Sequence, residues 1–330
     1  MTDSDISTFN FTADTGSSSD VNGERSEIVY SSISDEGMRA DMFLARQLGL
    51  TRSFIQKLIK QGNITIINER KLKPSTRLGS KECFHILVPP AENLEVSPED
   101  VPFTVIHEDE DILVIDKPAG IVVHPAPGNW HGTLVHGLLY RYPEIGMFNN
   151  VIRPGIVHRL DQTTSGLMVI ARNQLAMESL QEQFRTRTVK KTYLALSCGI
   201  PENDQALIDL PIGRNPRNRK KMAIVPSGRS SQTLYRAIWS HSGKTLMECE
   251  LLTGRTHQIR VHLQSIGCPL AGDMLYGGKN IPLVEMGRVF LHSWKLKFIH
   301  PRSRKDLKFL SVLPDTLIQC LKDILSSQEG

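Results

Sequence analysis

Asp161 stands in the segment Gly155-Ile-Val-His-Arg-Leu-Asp-Gln-Thr-Thr-Ser-Gly166, two residues after Arg159 and just before a run of hydroxyl side chains that ends in glycine. A carboxylate among small residues, with a cation beside it, can serve as a nucleophile. It can equally be a buried structural acid. The reactive reading needs an ionised carboxylate in a partly desolvated pocket, which a neighbouring cation makes possible. Leu167-Met-Val-Ile170 follows as a short apolar run that reads as a buried strand, so Asp161 sits on a loop feeding a sheet core. Loops held by a rigid sheet are where catalytic groups tend to be placed. Tyr193 lies in a predicted strand, 190–197, where a tyrosine is most often core or rim. Arg255 precedes a predicted helix over 256–266, whose N-terminal dipole favours an anion. His257 and His262 are five apart and fall on different helix faces, which speaks against a metal site.

The elements that must hold these residues divide into two groups. Residues 37–90 predict a small unit: a helix over 38–48, a second over 54–60 capped by Thr51 or Ser53, and strands at 64–66 and 83–88. The second helix carries Arg52, Ser53, Lys57 and Lys60, a basic face suited to a polyanion or simply to water. A Pro- and acid-rich linker spans 91–102. From 103 to 330 the pattern predicts a hairpin at 105–115, a resumed strand at 121–125, an amphipathic helix over 174–186, strands at 190–197, 233–240 and 245–252, and a last helix over 315–325. Sequential strands with few βαβ crossovers predict an α+β domain with a mixed, largely antiparallel sheet. Arg214, Arg217, Arg219, Lys220 and Lys221 form a basic loop between strands, a candidate for contact with nucleic-acid backbone. Gly166 and Gly254 are read as positions of close backbone approach or positive φ.

The chain has 330 residues, 40% of them hydrophobic and 22% charged, as in soluble globular proteins. No run of about 18 apolar residues predicts a membrane span, and the acidic N-terminus does not read as a signal peptide. Five cysteines without paired spacing predict reduced thiols and a cytoplasmic location. Residues 1–36 hold eight acids and one base and are expected to be a disordered tail. The remainder holds 38 basic against 27 acidic residues, a surplus that suits a polyanion partner.

Five segments in order resemble the pseudouridine synthases of the RluA type: Ile115 to Pro125, Gly155 to Gly166, Lys191 to Leu196, Leu252 to His262 and Ala271 to Gly277. Residues 38–88 resemble the S4 RNA-binding module. The stretch from Val122 to Tyr142 is most similar to the class D branch, which modifies large-subunit ribosomal RNA. The resemblance implies a cofactor-free isomerase that converts uridine to pseudouridine, with large-subunit (23S) ribosomal RNA or a pre-ribosomal particle as partner and no membrane, working as a monomer. It implies Asp161 as the catalytic carboxylate, Arg255 as its cationic partner and Tyr193 as a ring stacked on the flipped uracil or a base for the C5 proton. Arg159 would fill the place of the flipped base. Gln162 and Thr163 depart from the family's usual charged residue and acid. Competing readings are a class C-like enzyme with other sites in the same RNA, a non-catalytic RNA-binding assembly protein, and a hydrolase using Asp161. A platform has no need of Asp161, Tyr193 and Arg255 together. The hydrolase lacks a Gly-rich phosphate loop, a G-x-S-x-G elbow and a metal-ligand cluster.

Overall fold

The computed structural model describes residues 18–19, 25–67, 71–89, 96–147, 153–218, 220–277, 283 and 287–326. The chain divides into two compact units, Met1–Asn93 and Leu94–Gly330.

The first unit contains β1 (Ser18–Ser19), β2 (Arg25–Tyr30), α1 (Ala40–Leu48), α2 (Arg52–Gln61), β3 (Ile64–Ile66) and β4 (Cys83–Val88), with an antiparallel sheet in the order β1-β2-β4-β3. Thr51 caps α2 by accepting the Phe54 N–H at 3.4 Å, and Gly62 ends it at φ 81°, a left-handed conformation that glycine adopts without steric cost. Ile55, Leu58 and Ile59 of α2 face a core of Phe43, Leu44, Ile64, Phe84 and Ile86. The expected tail over 1–36 is corrected here: residues 25–30 are a strand paired along its whole length with β4, because Ile28 and Val29 carry enough β-propensity to pair despite the acidic surroundings. Residues 1–17 and 20–24 lie outside the described residues.

The second unit opens on β5 (Thr104–Glu108) and β6 (Ile112–Lys117), continues through α3 (Leu134–Arg141), β7 (Ser165–Ala171), α4 (Gln174–Arg185) and β8 (Lys190–Cys198), and then runs β9 (Gln205–Asp209), β10 (Ile212–Arg214), β11 (Met222–Ile224), β12 (Gln232–His241) and β13 (Lys244–Leu251). It closes with α5 (Gln258–Ser265), β14 (Leu291–Ile299), β15 (Asp306–Leu310) and α6 (Asp315–Ser326). Nine strands form one sheet in the order β5-β6-β7-β14-β8-β13-β12-β9, with β15 on β14. Among the described residues every pairing in it is antiparallel except β7 with β14. This is the α+β class with a mixed, mostly antiparallel sheet. The linker expected over 91–102 is shortened: from Glu99 onward the chain is already fastened to this unit, with Val101 and Phe103 buried. Residues 121–125, expected as a resumed strand, are a loop, because the Ile121 carbonyl is turned to the Lys117 ammonium and not to a neighbouring strand.

All seven residues of β7 are buried. Alternate side chains go to opposite faces: Leu167, Val169 and Ala171 pack on Ala176, Met177 and Leu180 of α4, while Met168 and Ile170 join Leu134, Leu138, Ile259 and Leu263 from α3 and α5. The loop ending in β7 is therefore anchored in the best-packed part of the sheet. Gly166, at φ 113°, pairs with Ser293 so closely that a Cβ would lie 2.4 Å from its carbonyl oxygen. Gly254 has open space around it and no positive φ, so the backbone requirement expected there falls away. Among the described residues no helix is long and apolar enough to cross a membrane.

Candidate active site

Asp161 is held from both sides of its loop. The Thr164 N–H donates to the Asp161 carbonyl at 3.1 Å, and the Gly120 N–H donates to the Gln162 carbonyl at 2.7 Å. The Gln162 side-chain amide returns a bond to the Gly120 carbonyl at 3.0 Å. Gln162, a departure from the family pattern, thus ties the Asp161 loop to the turn after β6. The Asp161 side chain is 19% exposed and opens on a cavity of about 440 Å³ lined by 157–161, Thr164, the end of α4, Lys191, Tyr193 and 251–260. Asp161 is the one acid among the lining residues, against Arg159, Arg185, Arg187, Lys191, Arg255 and Arg260. Such a field attracts a polyanion.

The cation at Asp161 is Arg260, not Arg255. Arg260 Nη1 lies 3.5 Å from Asp161 Oδ2. Arg255 shares the cavity wall, but its Nε donates to the Ser230 carbonyl at 3.3 Å, and burial together with Arg229 and Arg187 pushes its pKa down. The reason is local. Arg255 stands before α5 begins, whereas Arg260 projects from the buried face of that helix beside Ile259 and Leu263. Two Arg260 nitrogens are committed to Asp273, Nε at 2.7 Å and Nη2 at 2.9 Å. Both partners are nearly fully buried, so the guanidinium is locked with its third nitrogen toward Asp161. Asp273 in turn accepts the N–H groups of Leu275 and Tyr276.

His257 is the second group at Asp161, its Nε2 3.9 Å from Oδ2. Its Nδ1 bonds the Tyr276 hydroxyl at 2.9 Å. Sequence reasoning misses Arg260 and, having considered His257 only as a metal ligand, misses its place beside Asp161. A signal exists: an arginine on the inward stripe of an amphipathic helix demands a buried carboxylate. His262 is fully buried and bonds Thr233 Oγ1 and the Leu210 carbonyl, so both its nitrogens are used within the fold.

Tyr193 lies in the wall beside Asp161, 5% exposed. Burial pushes its phenol well above the ordinary value, with Asp161 adding to the rise and a hydrogen bond with Ser293 opposing it. The ring can stack; the phenolate a base would require is disfavoured. Arg159 lines the same cavity. His158, beside it, is turned away: its Nε2 accepts the Val169 N–H at 3.0 Å and its ring stacks on Phe184. Lys117 is fully buried, donating to the carbonyls of Pro118 and Ile121 at 2.8 and 2.9 Å. Burial lowers its pKa to about 7, against the opposing pull of Asp161.

The remaining candidates fall on two other surfaces. Arg52, Ser53, Lys57 and Lys60 are exposed, the last three on the face of α2 opposite its buried residues. Arg52 also holds the buried Asp41 at 3.0 Å, so part of its charge is engaged inside the unit. Arg214, Arg217, Lys220 and Lys221 belong to the β10–β11 hairpin, whose turn is fixed by Asn215 Oδ1 accepting two N–H groups. Arg219 lies outside the described residues. Among the described residues two His/carboxylate groups, Glu99 with His131 and His136, and Asp109 with Asp111 and His300, have the atoms a metal would need, but neither lines the cavity.

Residues 111–265 match the RNA pseudouridylate synthase family and residues 38–82 the S4 domain. An uncharacterized RNA pseudouridine synthase of Chloroflexus aurantiacus is 45% identical, covering 87% of this chain and 90% of its own. The ribosomal large subunit pseudouridine synthase D of Nitrosomonas europaea is 39% identical, covering 96% and 93%. Among solved structures, human RNA pseudouridylate synthase domain containing 4 superposes with a TM-score of 0.52 at 26% identity, over 67% of this chain and 93% of that one. The chain therefore belongs to the RNA pseudouridine synthases, isomerases, and carries an S4 RNA-binding domain ahead of its catalytic domain.

Proposed function

We propose that this enzyme isomerises specific uridines of large-subunit ribosomal RNA, with Asp161 as the reacting carboxylate. The observation that carries the reading is the one acid among the described residues lining a cationic cavity, clamped by an arginine that a buried aspartate fixes in place. The carboxylate acts at the ribose to break the N1–C1′ bond and release uracil from C1′. The base turns and rejoins C1′ through C5, the C5 proton is lost, and N1 takes one up, so substrate and product are isomers. Tyr193 stacks on the uracil and Arg159 fills the gap the flipped nucleotide leaves. Arg255, with Arg187 and Lys191 along the same wall, meets RNA phosphates at the cavity. Lys57 and Lys60 of α2 and the β10–β11 hairpin supply further backbone contacts. Ribosomal RNA as substrate is supported by relatives such as that of Nitrosomonas europaea, which is named for the ribosome's large subunit. Mapping pseudouridines in ribosomal RNA from cells lacking the protein tests this. Loss of particular large-subunit pseudouridines is expected, and an unchanged map would refute the substrate assignment.

A further inference from the structure

The gap between His257 and Asp161 has a size and polarity that select one chemical group. His257 caps α5 in a left-handed conformation, φ 57° and ψ 24°, which a β-substituted residue adopts only when its surroundings hold it there. What holds it is Tyr276: the rings meet edge to face at 5.6 Å, and His257 Nδ1 lies 2.9 Å from the phenol oxygen. That oxygen already accepts the Met222 N–H at 2.8 Å. A phenol has one proton to give, and His257 Nδ1 is positioned to receive it. The network therefore assigns the histidine's own proton to Nε2, which faces Asp161. Burial keeps the ring neutral, with Asp161 pulling the other way.

At 3.9 Å, Nε2 and Asp161 Oδ2 are too far apart for a direct hydrogen bond. A third atom about 2.9 Å from each closes the gap at an angle of about 85°. Toward Nε2–H that atom must accept, and toward the carboxylate it must donate. Within an internal RNA uridine, N3 only donates, while the uracil and phosphate oxygens only accept. The ribose 2′-hydroxyl does both, and it sits on the carbon next to C1′, where the bond is exchanged.

We propose that His257 and Asp161 form a two-point subsite for the 2′-hydroxyl of the target nucleotide, with Tyr276 fixing the histidine tautomer. The subsite makes the enzyme selective for ribose over deoxyribose at the modified position and sets the ribose against the carboxylate. This inference rests on the reading of Asp161 as the reacting group.

The test is a cycle between enzyme and substrate. His257→Asn suits it: asparagine tolerates the left-handed backbone, its carboxamide oxygen can still accept from Tyr276, and only the Nε2–H is deleted. Wild type and variant are compared on large-subunit ribosomal RNA transcripts made with uridine or with 2′-fluorouridine throughout, both tritiated at C5, by kcat/KM for tritium release. Effects of fluorine on RNA folding are common to both enzymes and cancel. The wild type is expected to lose at least about fivefold more than the variant on going to the fluoro transcript, the size of one hydrogen bond. His257→Gln, which returns an N–H to the cavity, is expected to recover part of the preference, and it carries the cycle if the asparagine variant folds poorly. Equal losses for wild type and variant would overturn the subsite. Absence of wild-type turnover on the uridine transcript would instead count against ribosomal RNA as the substrate, a separate failure.

Discussion

Arg260→Lys separates the arginine that the structure places at Asp161 from Arg255, the one that the family resemblance implies. In the native enzyme one guanidinium commits two nitrogens to Asp273 and turns the third to Asp161 at 3.5 Å. A lysine has one nitrogen and cannot fork. It will go to Asp273, which is 1% exposed and costly to leave without a partner, whereas Asp161 is 19% exposed. Asp161 then loses its cation. At 3.5 Å and an effective dielectric of about 20 the lost attraction is about 5 kcal/mol. Screening at a partly exposed carboxylate leaves roughly half, about 2–3 kcal/mol, or a fall in kcat of about 30- to 150-fold. Stability should drop by only about 1–2 kcal/mol, since the buried charge keeps a partner. The control is Arg255→Lys, at a guanidinium bonded to the Ser230 carbonyl and not to Asp161; on the proposed phosphate contact it should raise KM and leave kcat within about threefold. Tritium release from C5-labelled ribosomal RNA transcripts gives both constants. A larger fall in kcat for Arg255→Lys than for Arg260→Lys would refute the assignment of the counterion.

Two further outcomes follow from the buried groups around the carboxylate. Lys117 titrates near 7 in the folded protein because burial disfavours its charge, while the unfolded chain holds its proton to about 10.4. The unfolded state therefore binds more protons between these values, and stability should rise with pH across that window by at most about 1.4 kcal/mol per unit. Lys117→Met should flatten the rise in urea unfolding of the full chain, and an identical slope in the variant would contradict the neutral amine. Tyr193→Phe keeps the ring and removes a phenol that burial holds in its protonated form. Its kcat should fall less than about tenfold, and Tyr193→Leu much more; loss of all turnover in a folded Phe variant would restore the proton role.

What is legible in the sequence is whatever local physics decides. The period-2 and apolar runs of β6, β7 and β8, the Thr51 and Gly62 caps of α2, and the amphipathic stripe of α4 each follow from their own residues. The family motifs likewise gather Asp161, Tyr193 and Arg159 around one cavity. The choice between Arg255 and Arg260 is not local. It depends on where α5 starts, and His257 delays that start by taking a left-handed conformation that nothing in its own side chain announces. The Arg260–Asp273 pair joins a helix to a loop 13 residues on, so it becomes visible only when both are folded. The strand at 25–30 is hidden for a related reason: its pairing with 83–88 outweighs an acidic composition that favours disorder on its own.

Asp161→Asn, assayed for tritium release and for RNA affinity in parallel, puts the central claim at most direct risk. The substitution keeps the shape of the side chain and removes an anion from a cationic cavity, so RNA affinity should hold or rise. Turnover should fall below detection. Retained tritium release by this variant would contradict the account.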